Sequence, residues 1–253
     1  MLTNATIEKM HALKLTALAE AFQAQMGRPE FSELEFGERV GLLVDAEWTS
    51  REQRKQRRRL RAAKLRQQAC LEDIDWSAPR GLDRSMVLSL GTCAFIRDHR
   101  NLLITGSTGV GKSYMACAFA ERACRSGYSA YYVRAPRLYH ELSVSRADGS
   151  YGRLLQRLTR TDLLVIDDWG LAPLQDAERR DLLEVVEDRH QSSSTLIASQ
   201  LPVKAFYDAV GDPTIADSIC DRLIPGAFKI HMKGPSIRQE RARHAEATQK
   251  DPE

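Results

Sequence analysis

Over the first third of the chain, apolar residues recur at helical spacing. Ile7, Met10, Leu15, Leu18 and Phe22 share one broad face at about 100° per residue, which predicts a helix over 3–25. Gly27, Arg28 and Pro29 break it. Ser32 with Glu35 reads as a capping box for a second helix carrying Phe36, Val40, Leu43 and Val44, which continues into 51–66. Residues 70–85 mix Asp73, Asp75, Pro79 and Gly81 and read as a linker. From residue 86 the pattern changes. Short β-rich runs at 102–105, 129–133, 161–166, 195–199 and 228–232 alternate with helical patterns at 112–125, 136–144 with 150–159, 176–190 and 203–209. The expected fold class is therefore α/β, a parallel five-stranded sheet flanked by helices, with a small all-α N-terminal domain. The expected division is 1–69 helical, 70–85 linker, 86–242 α/β, and 243–253 a polar, disordered tail.

Composition narrows the class only a little. The 253 residues hold 37 basic and 34 acidic side chains, a net charge of +3, so the distribution of charge matters more than its total. Cys70, Cys93, Cys117, Cys124 and Cys220 form no C-x-x-C pair and no His/Cys cluster, which argues against zinc and disulfides and fits a reducing cytoplasm. No apolar stretch approaches the roughly 20 residues needed to span a bilayer, and the N-terminus lacks the plan of a signal peptide.

The strongest chemical signal is the string GSTGVGKS. Gly106, Ser107, Thr108, Gly109, Val110, Gly111, Lys112 and Ser113 make a complete P-loop, followed by Tyr114. Its glycines let backbone N–H groups turn inward around phosphates. Lys112 is placed to reach the β- and γ-phosphates and the Ser113 hydroxyl to hold Mg²⁺. An apolar run, Leu102 to Ile104, precedes the loop and a helical pattern follows it, so a helix N-terminus faces the phosphates. The expected cofactors are thus a nucleoside triphosphate and Mg²⁺. No N-K-x-D guanine-reading string is present, which disfavours a GTPase.

A second signal lies some fifty residues on. The run from Thr161 to Ile166 is a buried-strand pattern ending in Asp167-Asp168. Beside a P-loop, Asp167 is placed to hold Mg²⁺, and Asp168 to orient or deprotonate the attacking water. Asp168 is one methylene shorter than a glutamate, which leaves open slow hydrolysis or a bridging water. Trp169 reads as packing against a neighbouring element; contact with nucleotide or DNA is the alternative.

These strings, with TLIASQLPVKAFYD (195–208), GDPTIADSICDRL (211–223) and KGPSIRQE (233–240), resemble the AAA+ ATPases of the initiator and helicase-loader clade. Most closely they resemble the IstB-like helpers of bacterial transposases. The resemblance covers roughly the last 170 residues and extends to AEWTSREQRKQRRRLRAAKLR (46–66). Two departures, Ser107-Thr108 where the family has Pro and Phe206-Tyr207 where it has a nearby Trp, remove no phosphate or metal contact. The resemblance implies ATP as the nucleotide. It places Ser199 and Gln200 at the sensor-1 position, Arg222 as an arginine finger reaching a neighbouring subunit's nucleotide, and Arg238 as a sensor-2 residue. An intramolecular salt bridge from Arg222 to Asp217 or Asp221 is the alternative. The candidate catalytic set is Lys112, Asp168, Ser199 and Arg222.

Residues 51–66 hold nine basic residues and one acidic one. A phosphate partner would relieve this self-repulsion, although a solvated helix face fits the same run. Candidate contacts to duplex DNA, sequence-independent and salt-dependent, are Arg54, Lys55, Arg57, Arg58, Arg61 and Lys64. A second candidate surface has Arg134, Arg137, Arg146 and Arg153 with Tyr139 and Tyr151; related initiators carry a DNA-facing helix there. The reading that unites these features is an ATP- and DNA-dependent homo-oligomer that selects target DNA and stimulates a transposase, away from any membrane. A replicative helicase loader is the runner-up, and a small-molecule kinase a third reading.

Overall fold

The computed structural model describes residues 2–237 and 239, and the chain divides into two compact units, residues 1–58 and 59–253. Arg238 and the expected tail at 243–253 lie outside the described residues.

In the first unit the expected single helix is two, α1 (Leu2–Ala12) and α2 (Thr16–Met26). The break is a left-handed turn at Lys14 (φ +57°), closed by the Leu15 N–H donating to Met10 O. Chain reversal at such a turn satisfies the carbonyls left at a helix end, which face periodicity alone does not reveal. A 3₁₀ turn, Pro29–Glu33, leads to the 28-residue α3 (Phe36–Ala63). Its start is capped by Glu38, whose carboxylate accepts from the Glu35 N–H, so the expected Ser32/Glu35 box is displaced by three residues. The helix ends at Ala63 because Lys64 adopts φ +51°. Glu47 holds the unit together. Its buried carboxylate accepts from the Ala17 and Leu18 N–H groups at the start of α2, and from Arg51 at 2.7 Å. An anion at a helix N-terminus meets the unpaired N–H groups there.

The second unit begins with the last turn of α3. Ala63, Ala69, Leu71 and Ile74 are buried in its core, so the segment expected as a linker is packed structure. Helices α4 (Arg84–Leu90) and α5 (Ala94–Arg97) follow, neither of them expected from the sequence. The rest alternates as predicted: β1 (Leu102–Gly106), α6 (Lys112–Arg125), β2 (Ala130–Arg134), α7 (Ala135–Ala147), α8 (Tyr151–Thr159), β3 (Leu163–Trp169), α9 (Asp176–Arg189), β4 (Ser194–Ser199), α10 (Phe206–Val210), α11 (Pro213–Leu223) and β5 (Phe228–Met232). Helix α11 was also missed; its N-cap is Asp212, which accepts from the Ile215 N–H.

The five strands form one parallel sheet in the order β2-β3-β4-β1-β5. Successive residues point to opposite faces. Leu102, Ile104, Leu163 and Val165 pack with α6 in one core, while Leu103, Leu164, Ile166 and Ile197 pack with α7, α9 and α11 in the other. The P-loop strand β1 thus lies between β4 and β5, with β3 two places away. Arg189, 2% exposed, ties the lower edge together by donating to the Thr161 and Ser194 carbonyls and to Thr195 Oγ1. Among the described residues no helix is long and apolar enough to cross a membrane, and the five cysteines are free.

Removing the Glu47 carboxylate (Glu47→Ala) should destabilise the helical unit by about 1–3 kcal/mol, seen as faster amide exchange at Ala17 and Leu18 in the full chain. Arg51 and the α2 N–H groups hold the Glu47 carboxyl below the usual carboxylate range. Its contribution is therefore present above the unfolded carboxyl's pKa and is lost as pH falls through the lower, folded one.

Candidate functional site

The carboxyl ends of β1, β3 and β4 converge on the P-loop, as parallel strands bring them to one edge of the sheet. Gly106, Gly109 and Gly111 hold φ of +147°, +86° and +107°. A Cβ on Gly106 would lie 2.2 Å from Met232 O, and one on Gly109 2.1 Å from Ser236 Oγ. No side chain fits at either place, so the glycines are fixed by backbone conformation and by close packing together. Lys112 Nζ donates to the Gly106 and Ser107 carbonyls at 2.8 Å each, which sets the ammonium inside the loop. Val110 is fully buried and offers the site only its backbone. A cavity of about 170 Å³ is lined by Thr108, Lys112, Ser113, Tyr114, Asp168 and Gln200 among others.

The acid pair sits on an irregularity. The β3–β4 register shifts between Ile166 and Trp169, and Asp168 takes φ +60°. Asp167 therefore stays inside, 1% exposed, while Asp168 turns toward the cavity. Asp167 accepts from Tyr132 OH at 2.5 Å and from the Asp168 N–H at 2.8 Å. Burial and this bond to Asp167 push the Tyr132 phenol far above its ordinary range, so it remains a donor. Asp168 accepts from Arg134 Nε at 2.6 Å, and Arg66 Nη1 stands 3.9 Å from both carboxylates. Tyr132, Arg134 and Arg66 were not among the sequence candidates for this site. Tyr132 and Arg134 were within reach, since a strand beside β3 must present side chains to its acids; Arg66 needed the path of the chain after α3.

The two sensor-1 candidates separate. Ser199 is fully buried and its hydroxyl donates to Trp169 O at 2.7 Å, so its polar group is engaged within the core. Gln200 lines the cavity, where its Oε1 accepts from Thr108 Oγ1 at 2.7 Å. Trp169 is 2% exposed and packs on Phe206, with ring centroids 5.8 Å apart, as the packing reading expected. Arg222 lies elsewhere. Its carbonyl accepts from Asn101, just before β1, at the opposite end of that strand from the P-loop. Its guanidinium pairs with Glu187 at 2.9 Å, so the intramolecular bridge is to α9 rather than to Asp217 or Asp221.

A second cavity, of about 460 Å³, adjoins the first and shares Gly111, Tyr114 and Ile237 with it. Ile74, Leu82, Met115 and Met232 give it apolar walls, and Arg80 braces its rim by donating to Val110 O at 3.0 Å. Its wall residues come from segments far apart in sequence, so no local motif announced it. The glycine cradle, the Lys112 ammonium, and the Ser113 hydroxyl with the Asp167 carboxylate suit a nucleoside triphosphate and Mg²⁺, and the second cavity suits a base.

The basic candidates are unequally placed. Arg54 and Lys55 pair with Glu47 and Glu52, whereas Arg57 and Arg58 are exposed and make no ion pair among the described residues. In the second unit Arg61 is exposed and Lys64 stands over the Tyr131 ring at 5.5 Å. Arg137 pairs with Glu141 at 2.9 Å, and Arg153 lines a groove between α7 and α8. Tyr139 is buried and Tyr151 donates to Glu184 under the Arg146 guanidinium, so neither ring is open to a base.

These features define a P-loop ATP-binding protein of the AAA+ fold. The chain belongs to the IstB-like ATP binding protein family, whose model matches residues 8–245. It is 45% identical over 243 residues to an insertion sequence ATP-binding protein of Sinorhizobium fredii, covering 96% of this chain and 99% of that one. It is 46% identical over 203 residues to the IS1162 ATP-binding protein of Pseudomonas fluorescens, covering 80% and 88%. Among solved structures, DnaI shares the fold with a TM-score of 0.57 at 22% identity, over 70% of this chain and 94% of that one. The replication initiator DnaA, solved with AMPPCP and single-stranded DNA, shares it with a TM-score of 0.54 at 15% identity, over 72% and 56%.

Gly109→Ala should leave the fold intact but lower nucleotide affinity more than tenfold, read by titration with a fluorescent ATP analogue, because the added methyl must displace Ser236 and strain the loop.

Proposed function

We propose that this chain is an Mg²⁺-dependent ATPase that assembles on duplex DNA as a homo-oligomer and stimulates the transposase of an insertion sequence. One observation carries the reading: Lys112, Ser113, Asp168 and Gln200 line a single cavity in a chain whose relatives are named as insertion-sequence ATP-binding proteins. Lys112 would bind the terminal phosphates, and Ser113 with Asp167 would hold the metal. When bound, Mg²⁺ neutralises phosphate charge. Tyr132 keeps Asp167 oriented, and Asp168, once released by Arg134, would orient the attacking water or take its proton. Gln200 is better placed than Ser199 to report the γ-phosphate. Arg238 remains a proposed sensor 2.

Arg222 lies across the sheet from its own P-loop, which supports action in trans on a neighbour's nucleotide; such a residue contributes about 10³–10⁵ in rate. Assembly and nucleotide state then form one equilibrium, because a ligand bridging two subunits stabilises their contact by linkage. Arg57, Arg58, Arg61 and Arg153 are the basic candidates most open to phosphates, with Arg54, Lys55, Lys64 and Arg137 available on release of their partners. A helicase-loading role is the second reading, favoured by the likeness of fold to DnaI; it would require a preference for single-stranded DNA.

Light-scattering mass against nucleotide state, with and without a duplex of about 50 bp (roughly five turns), tests the assembly. Mass should rise well beyond a dimer only with an ATP analogue and duplex together; no rise with DNA in any nucleotide state would remove the reading. Lys112→Ala should abolish ATP binding. Asp168→Asn should retain binding and lower turnover by about 10² or more, trapping the assembly. Leu82→Trp, which fills the apolar cavity, should weaken ATP about tenfold and leave inorganic triphosphate unaffected, as expected if that cavity takes the base.

A further inference from the structure

Three cations approach the acid pair in different ways. Arg134 contacts Asp168, at 2.6 Å. Lys112 is turned into the P-loop, toward the Gly106 and Ser107 carbonyls. Arg66 reaches both acids. Its Nη1 stands 3.9 Å from Asp167 Oδ2 and 3.9 Å from Asp168 Oδ2, and it makes no other ion pair among the described residues. A hydrogen bond with Tyr132, joined by the charges of the two acids, holds the Arg66 guanidinium above its ordinary pKa. The same Tyr132 hydroxyl donates to Asp167. One positive charge is therefore shared by two carboxylates at the end of β3.

The setting leaves this guanidinium free to move. At 3.9 Å it lies beyond hydrogen-bond reach of either acid, so the attraction is Coulombic and needs no fixed geometry. Its side chain is 42% exposed, so the charge can turn to water without crossing the core. Its backbone cannot follow. Leu65 packs against the core, and Ala63 and Ala69 are buried. The Cys70 N–H donates to Tyr114 OH at 3.4 Å, and that hydroxyl donates to Cys70 O at 3.2 Å. The stem is anchored and the charged head can swing.

We propose that Arg66 is a displaceable counter-cation for the acid pair: it holds the charge position that a divalent metal ion needs at Asp167, and yields it when the metal arrives together with nucleotide phosphate. This rests on the reading of Asp167 as a metal ligand and adds the order of events. A guanidinium and a dication do not share two carboxylates at this range, because like charges repel. Metal alone meets that repulsion in full, whereas the negative charge of a triphosphate offsets it. Arg66 touches neither nucleotide nor reacting atoms, so it is a positioning residue. It keeps the two carboxylates compensated and discourages metal from settling on them without nucleotide.

Titration of the full chain with Mn²⁺ in the absence of nucleotide, followed by electron paramagnetic resonance, tests it. Arg66→Met, uncharged and unbranched, should bind Mn²⁺ about tenfold more tightly than wild type, and Arg66→Lys should match wild type. Adding Asp167→Asn to Arg66→Met should remove the gain. A purely structural role for Arg66 would leave the affinity unchanged or lower it, and either result overturns the proposal. So does a gain that survives Asp167→Asn, or one that Arg66→Lys shares. In a second arm an ATP analogue is present. Its enhancement of Mn²⁺ binding should be about tenfold larger in wild type than in Arg66→Met, because the nucleotide offsets a repulsion that the variant lacks. Equal enhancement in the two overturns the proposal. An analogue that binds neither protein would remove the ATPase reading, while the nucleotide-free arm still decides the role of Arg66.

Discussion

A carboxylate with 1% exposure at the end of a central strand is the constraint around which the ATP-binding unit is organised. A carboxyl group so far from water needs hydrogen-bond partners close by. Asp167 finds them in Tyr132 from the neighbouring strand, in the N–H of Asp168, and in Arg66 at longer range. Each partner has a structural consequence. Tyr132 fixes the carboxylate's orientation relative to β2. The N–H contact accompanies the left-handed turn at Asp168, which sends the second carboxylate outward into the cavity. Arg66 brings the segment after α3 across the sheet, so the end of the basic stretch and the acid pair share one neighbourhood.

The glycines add a second constraint of the same kind. With Met232 O and Ser236 Oγ pressed against them, Gly106 and Gly109 leave the loop little freedom to shift relative to β5 and the segment that follows it. The phosphate cradle is thus shaped from outside by the last strand as well as from within by its own backbone conformation. Ile237 continues this cover, its N–H donating to Gly109 O, and lines both cavities.

The sheet was legible in the sequence because each strand is an apolar run whose two faces are both buried, and because P-loop and acidic strand end carry fixed chemical requirements. The register shift at Ile166–Trp169 was not, since nothing in LLVIDDW marks where pairing will slip. The residues that serve Asp167 and Asp168 from outside β3 were hidden for a different reason: tyrosine and arginine are ordinary in strands and loops, and only the strand order shows which of them face the acids. The segment 70–85 misled because Pro79, Gly81 and three aspartates interrupt the apolar residues, such as Leu71 and Ile74, that anchor it. In the helical unit the length of α3 was evident, whereas the turn at Lys14 depends on backbone conformation that a lysine rarely adopts. Ser199 and Gln200 are adjacent in sequence, and only the path of β4 decides that one faces the core and the other the cavity.

The three tryptophans are distributed so that the protein carries its own optical labels. Trp169 is sealed against Phe206, with an indole N–H that has no hydrogen-bond partner among the described residues, next to Asp168 in the chain. Trp48 stands 65% exposed on α3, and Trp76 sits beside the Arg84 guanidinium at 5.6 Å. Emission from the buried indole belongs at the blue end of the tryptophan range and that from Trp48 at the red end. Iodide or acrylamide will quench the second far more readily than the first. Intrinsic fluorescence therefore separates events beside the acid pair from events on the helical unit, without any added dye.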